Sequence, residues 1–174
     1  HSDESAFRDR LGAVWRECHR VLKDDGLLVF SYHHSRTEGW RSILEALMGA
    51  GFGIVAAHPV KAEMSVAAPK LQAKEPIDLD ILVVCRKLSA LERRAASDDL
   101  WAAVTPTIVH QIERLRSAGR RLSRNDVRII VMAQLLRPLS LAPSMREALA
   151  HLEVNAVQVE SVIDRFHLAG LNNV

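Results

Sequence analysis

The residues best suited to chemistry are four polar or aromatic side chains in a row, Ser31-Tyr32-His33-His34. An imidazole can hydrogen-bond a base or a phosphate, and a tyrosine ring can stack on an extruded base. The short apolar run before them predicts a strand, so the four residues lie at its carboxyl end, where open α/β sheets bind ligands. We expect them to line a cleft; in the alternative, one His faces the core and the other caps the next helix.

Metal binding and nucleophilic catalysis are not expected from the remaining histidines and cysteines. Adjacent side chains on a strand point to opposite faces, so His33 and His34 cannot easily join His58 around one ion. Cys18 and His19 diverge in the same way on a helix. No catalytic residue and no metal ligand is therefore predicted in this chain.

Basic residues gather in two places that can contact a nucleic acid. The stretch 86–137 has more than twice as many Lys and Arg as Asp and Glu. Arginine suits phosphate because its guanidinium is a planar fork of donors. We predict DNA contacts at Arg120, Arg121, Arg124 and Arg128, and at Lys70 and Lys74 in a polar loop. The alternatives are a solvated helical face and a mobile solvated loop.

These side chains are positioned by an α/β segment and a helical segment. Apolar spacing predicts a helix over 7–22, a buried strand over 27–32, a helix over 38–50 and strands over 53–60 and 77–86. The last strand is apolar on both faces, which indicates a central position, and the connection before it suits an antiparallel strand. Helices are then predicted over 91–104, 105–119, 123–136, 144–152 and 155–170, with a capping box at Ser123 and Asp126. The predicted fold is α/β over residues 1–88 followed by an all-helical domain over 89–174.

An antiparallel last strand that inserts between two parallel ones resembles the end of a Rossmann-like methyltransferase sheet, its strands five to seven. The stretch HRVLKDDGLLVFSYHH at 19–34, with Trp40, Ala50-Gly51-Phe52, Pro59-Val60, Glu63 and VCRK at 84–87, is similar to the C-terminal part of the large adenine-specific DNA methylases. These are zinc-ribbon-containing proteins often found beside phage-defence genes. The resemblance covers residues 3–87 well and the helices less specifically.

The resemblance implies S-adenosylmethionine-dependent methylation of adenine in DNA by the intact protein. The family's Asp/Asn-Pro-Pro-Tyr/Phe motif, its glycine-rich cofactor loop and its zinc-ribbon cysteines are absent from this sequence. The chain is thus expected to be a truncated piece that is inactive alone and binds no cofactor tightly. The missing N-terminal half of the protein is its expected partner. Its first strand then has an open edge, and self-association is expected there.

Composition and the remaining alternatives complete the expectations. Hydrophobic content of 48% and charged content of 25% are ordinary for a soluble domain, two scattered cysteines suit a reducing cytoplasm, and no membrane segment or secretory leader is expected. Two other functions stay open: a non-catalytic helical module that binds nucleic acid or protein and carries a remnant α/β domain, and a methyltransferase segment with a non-DNA substrate.

Overall fold

The computed structural model describes residues 2–62 and 77–171 of the chain. Helices and strands alternate first, and three helices follow. Their bounds are α1 Ser2–Val21, β1 Leu27–Tyr32, α2 Thr37–Gly49, β2 Phe52–Lys61, β3 Leu79–Lys87, α3 Leu100–Ser117, α4 Arg124–Leu139 and α5 Met145–Leu171. No described helix is both long and apolar enough to cross a membrane.

The three strands form one sheet in the order β1-β3-β2. Strand β3 runs antiparallel to both neighbours, with Val83 opposite Phe30 on one side and Ala57 on the other. The predicted antiparallel last strand between the other two is therefore confirmed, and the fold is α/β. That these strands correspond to strands five to seven of a larger sheet stays a prediction.

Only one face of the sheet is covered by the core. On that face Ile81, Val83 and Cys85 of β3 are buried, and Trp15 of α1 lies over Phe30 with ring centroids 4.9 Å apart. Among the described strand residues, the opposite face carries no buried side chain. The expectation that β3 is covered on both faces was wrong, because both α1 and α2 pack on the same side.

Strand β1 was predicted to be buried, and this was also wrong. Its residues alternate between exposed and half-buried, and Leu27 and Val29 are about half exposed. An edge strand covered on one face alone must leave every second side chain in contact with solvent. Apolar composition indicates a strand, but the position of that strand in the sheet decides its burial.

Helix α4 is the centre of the helical half and is buried on nearly all sides. It covers the outer edge of β2 by side-chain hydrogen bonds. The Ile54 N–H donates to Ser140 Oγ at 2.7 Å, and the Gln134 amide donates to the Ala57 carbonyl at 3.0 Å. Gln111 of α3 donates to the same carbonyl at 2.7 Å. The edge of β2 is thereby protected from further strand pairing.

Three helix predictions differ from the structure. Residues 91–104 were expected to be helical, but α3 begins at Leu100, where Asp99 caps it through the Ala102 N–H. Pro106 lies inside α3 instead of in a first turn. The two helices predicted over 144–152 and 155–170 are one helix of 27 residues. Polar residues on a solvent-facing side interrupt the apolar pattern without interrupting the backbone hydrogen bonds.

Sheet and helices share one hydrophobic core. It runs from Trp15 and Trp40 through β3 and α4 to Ile163 of α5. The division into domains at residues 88 and 89 stays a prediction.

Candidate functional site

The predicted cleft residues divide between the two faces of the sheet. Tyr32 pairs with Ile81 and lies on the core side, whereas Ser31 pairs with Leu82 and lies on the open side. The next residue, His33, bonds through Nδ1 to the Asp80 carboxylate, and Asp80 shares the open face with Leu82. Ser31 and His33 therefore face one way, and Tyr32 and His34 face the other.

Tyr32, His34 and Trp40 form an aromatic cluster at the start of α2. Tyr32 meets Trp40 edge-on at 5.0 Å between centroids and is nearly parallel to the His34 ring at 6.4 Å. The Trp40 indole N–H donates to the His34 carbonyl at 2.8 Å. Burial raises the pKa of Tyr32 to about 12, so its hydroxyl stays protonated further into the alkaline range than that of an exposed tyrosine. The contacts hold the β1–α2 turn in one shape.

Gly39 makes room for the His34 ring. A Cβ placed on Gly39 would lie 2.3 Å from His34 Cγ, closer than any side-chain contact allows. His34 Nδ1 accepts the Arg36 N–H at 3.0 Å, just before α2 begins. His34 therefore satisfies the N–H of the residue just before α2, and that the two histidines line a cleft stays a prediction.

A basic cleft of about 360 Å³ lies at the same end of the sheet. Strands β1 and β2 both run antiparallel to β3, so their carboxyl ends lie at the same end of the sheet. Lys61 comes from the end of β2, and Arg120 and Arg121 come from the turn between α3 and α4. All three are exposed, and among the described residues no carboxylate forms a salt bridge with them.

The floor of this basic cleft is a buried carboxylate, Asp126. Its two oxygens accept the N–H groups of Asp78 at 2.9 Å, Leu79 at 3.2 Å and Ser123 at 2.9 Å. Ser123 Oγ in turn accepts the Asp126 N–H at 3.0 Å, which confirms the predicted capping box. Asp126 thus joins the start of α4 to the start of β3 and fixes the position of the cleft.

Arg124 and Arg128, also predicted to contact DNA, bind carboxylates of α5. Arg124 donates to Asp164 at 2.8 Å and to Glu160 at 2.6 Å. Arg128 donates to Glu160 at 2.8 Å and to the Ser35 carbonyl at 3.0 Å. The hydrogen bond from Arg124 lowers the pKa of Asp164. The structure brings Arg120 and Arg121 together with Lys61 and directs Arg124 and Arg128 into the packing of α4 on α5.

One residue of the candidate site was missed by the sequence prediction. Asp80 interrupts the apolar run of the last strand, and that interruption was the available signal. Lys61 was expected in the following loop, among basic residues that could contact phosphate, but it ends β2. The predicted contacts Lys70 and Lys74 lie outside the described residues. Across the part of the chain that the structure describes, no cluster of three or more His, Cys, Asp or Glu side chains can hold a metal ion.

Comparison of this chain with protein-family models, curated proteins and solved structures finds no match.

Proposed function

We propose that this chain is the C-terminal segment of an S-adenosylmethionine-dependent DNA adenine methyltransferase. The observation that carries the proposal is the antiparallel β3 between two parallel strands. The Ser31–His34 turn and the basic cleft both lie at the carboxyl ends of these parallel strands. In such a sheet, ligands bind at the carboxyl ends of the parallel strands. The segment contributes one wall of the DNA cleft. The missing N-terminal half contributes the cofactor loop and the catalytic loop.

The basic cleft of Lys61, Arg120 and Arg121 is the proposed contact with the DNA backbone. Its three exposed cations have no carboxylate partner in the described chain, so a phosphate does not have to displace one. Arg124 and Arg128 are assigned a structural role, because each is already bound by α5. The predicted arginine contacts are thereby reduced from four to two, and Lys61 joins them from the end of β2.

The Ser31–His34 turn is the proposed wall of the base pocket. The His33–Asp80 pair faces the open side of the sheet, while Tyr32 and His34 pack toward Trp40. His33 is therefore the residue of the four best placed to hydrogen-bond a substrate. Tyr32 supports the turn from the core side.

Duplex DNA binding by the full chain tests the basic cleft. Replacing Arg120 and Arg121 by Ala removes two phosphate contacts, so binding weakens and the log–log salt slope falls by about 2. Fluorescence anisotropy of a labelled duplex across a salt series measures both effects. Arg146→Ala is the matched control, since this exposed arginine lies at the start of α5. Equal affinity and slope in the double variant and the wild type would contradict the proposal.

Cofactor binding tests the assignment to a C-terminal segment. The proposal predicts no heat of binding when S-adenosylmethionine is titrated into the chain in a calorimeter. Tight binding with one molecule per chain would mean that the cofactor pocket lies within these residues, and the segment proposal would fail.

A further inference from the structure

We propose that two copies of this chain form a symmetric dimer through the open edge of β1 and an apolar stripe on α1. The inference goes beyond the proposed function and concerns this chain by itself, because in the intact protein of that proposal the N-terminal half would pair with the same edge of β1. It depends on four features of the described residues: an open strand edge, an apolar helix stripe on the same side, a common midpoint and complementary charges.

The first feature is an unprotected strand edge. Side chains of α3 and α4 cover the outer edge of β2, but among the described residues no backbone hydrogen bond from another element reaches the outer edge of β1. The strand Leu27–Tyr32 contains no proline and no charged residue, and no bulge interrupts its pairing with β3. Natural sheets normally protect such an edge, and an edge left open can pair with another strand.

The second feature is an apolar stripe on α1. Phe7, Val14 and Val21 are 50%, 57% and 65% exposed, and they follow one another at intervals of seven residues. Seven residues bring a helix back to within about 20° of the same direction, so the three side chains form one line along α1. Residues seven apart supply one of the two positions in each heptad through which helices pack against each other, and Arg10 and Glu17 occupy the exposed positions three residues further on.

The stripe points to the same side of the molecule as the open edge. Helix α1 meets α2 through its Gly12 side, where Arg8 donates to Glu45 at 2.8 Å. It meets the sheet through Trp15. At about 100° per residue, Phe7, Val14 and Val21 lie on the flank turned away from α2, which is the flank above the outer edge of β1. The molecule thus has one lateral surface with a helix layer and a strand layer.

The third feature is that both layers share a midpoint. Val14 is the centre of the helix stripe and adjoins Trp15, and Val29 lies near the centre of β1 and adjoins Phe30. The Trp15 and Phe30 rings are 4.9 Å apart, so the residues next to the two midpoints are in contact. One two-fold axis perpendicular to the sheet can therefore pair β1 with β1 and α1 with α1, both antiparallel. Such an interface is isologous and closes at two copies.

The fourth feature is the charge beside the stripe. Arg10 precedes Val14 by four residues, Glu17 follows it by three, and both are exposed. In an antiparallel helix pair centred on Val14, Arg10 of one copy lies within about 1.5 Å of the height of Glu17 in the other. The symmetry produces this opposite-charge pair twice, which favours a second copy over an unrelated apolar partner. Glu17, which binds Arg20 within its own helix, keeps an exposed side chain.

Sedimentation velocity of the full chain over a dilution series tests the dimer. The wild type is expected at twice the chain mass of 19.4 kDa, and Val14→Glu and Val29→Lys are each expected to halve the apparent mass. Both changes place like charges beside the two-fold axis, and both positions are exposed, so the fold should persist by circular dichroism. Val157→Glu, on the exposed side of α5, is the matched control and should leave the mass unchanged.

A charge exchange tests the antiparallel arrangement. Arg10→Glu alone should weaken the dimer, and adding Glu17→Arg should restore it. A wild type that is monomeric at every concentration, a dimer unaffected by Val14→Glu and Val29→Lys, or growth beyond two copies would each overturn the proposal. DNA binding by Arg120 and Arg121 is measured separately and does not depend on the result.

Discussion

At the scale of single residues, the β1–α2 turn depends on a glycine whose role is to leave space. Gly39→Ala would push a methyl group into the His34 ring and should destabilise the protein by about 2 kcal/mol, the usual cost of overpacking. Gly49→Ala is the matched control in the same helix, since a Cβ there meets no atom within 4 Å. It should stabilise by about 0.5 kcal/mol. Urea denaturation measures both changes.

His34 decides the outcome of the Gly39 substitution. If the clash with the His34 ring causes the loss of stability, Gly39→Ala should cost little in a chain that already carries His34→Ala. A double-mutant cycle measures this difference. Additive losses in the cycle would show that the two residues do not interact.

A half-buried phenol and a buried thiol should make the protein sensitive to alkali. Burial raises the pKa of Tyr32 from 10.0 and that of Cys85 from 9.0, each to about 12. The unfolded chain loses these protons first, so stability is fully present below pH 9 and falls as the pH rises toward 12. Thermal melting across this range should show the decline, and Tyr32→Phe with Cys85→Ala should flatten it. A wild-type curve as flat as that of the double variant would contradict the assignment.

At the scale of elements, Asp126 holds α4 and β3 together. It accepts three backbone N–H groups while fully buried. Asp126→Ala leaves these donors without partners and should cost about 3 kcal/mol by urea denaturation. Asp99→Ala, which removes the exposed cap of α3, provides the comparison and should cost about 1 kcal/mol. Equal losses would mean that the carboxylate acts only as a helix cap.

The arginines of the helical half should differ in how much each contributes to the free energy of unfolding. Arg124→Ala breaks two partly exposed ion pairs between α4 and α5 and should cost about 1 kcal/mol, less at high salt. Arg120→Ala should leave the free energy of unfolding unchanged. Chemical denaturation at two salt concentrations checks both values. A loss at Arg120 as large as that at Arg124 would show that the turn also depends on its arginine for stability.

At the scale of the whole molecule, the continuous core predicts one unfolding transition. Trp15 and Trp40 lie in the α/β segment and Trp101 in α3, so variants that retain Trp40 or Trp101 as their single tryptophan report on the two segments separately. Their denaturation midpoints should coincide with that of circular dichroism. Distinct midpoints would instead support two domains, at 1–88 and 89–174.

The sequence by itself determined the elements whose cause is local. The strand at 27–32, the capping box of Ser123 and Asp126 and the antiparallel last strand follow from a short apolar run after a glycine, from residues three apart and from a connection without a helical pattern. Each signal is complete within a short stretch of chain, so no distant contact is needed to interpret it.

Only the tertiary structure decided which charged groups are unpaired and which apolar groups are exposed. Arg124 resembles Arg120 in sequence, but Asp164, forty residues further along, binds Arg124. Asp80 reaches His33 across 47 positions, and Val29 stays exposed because both α1 and α2 cover the other face. Apolar character and charge are properties of a residue, whereas burial and pairing depend on how the chain returns upon itself, and no local pattern records that return.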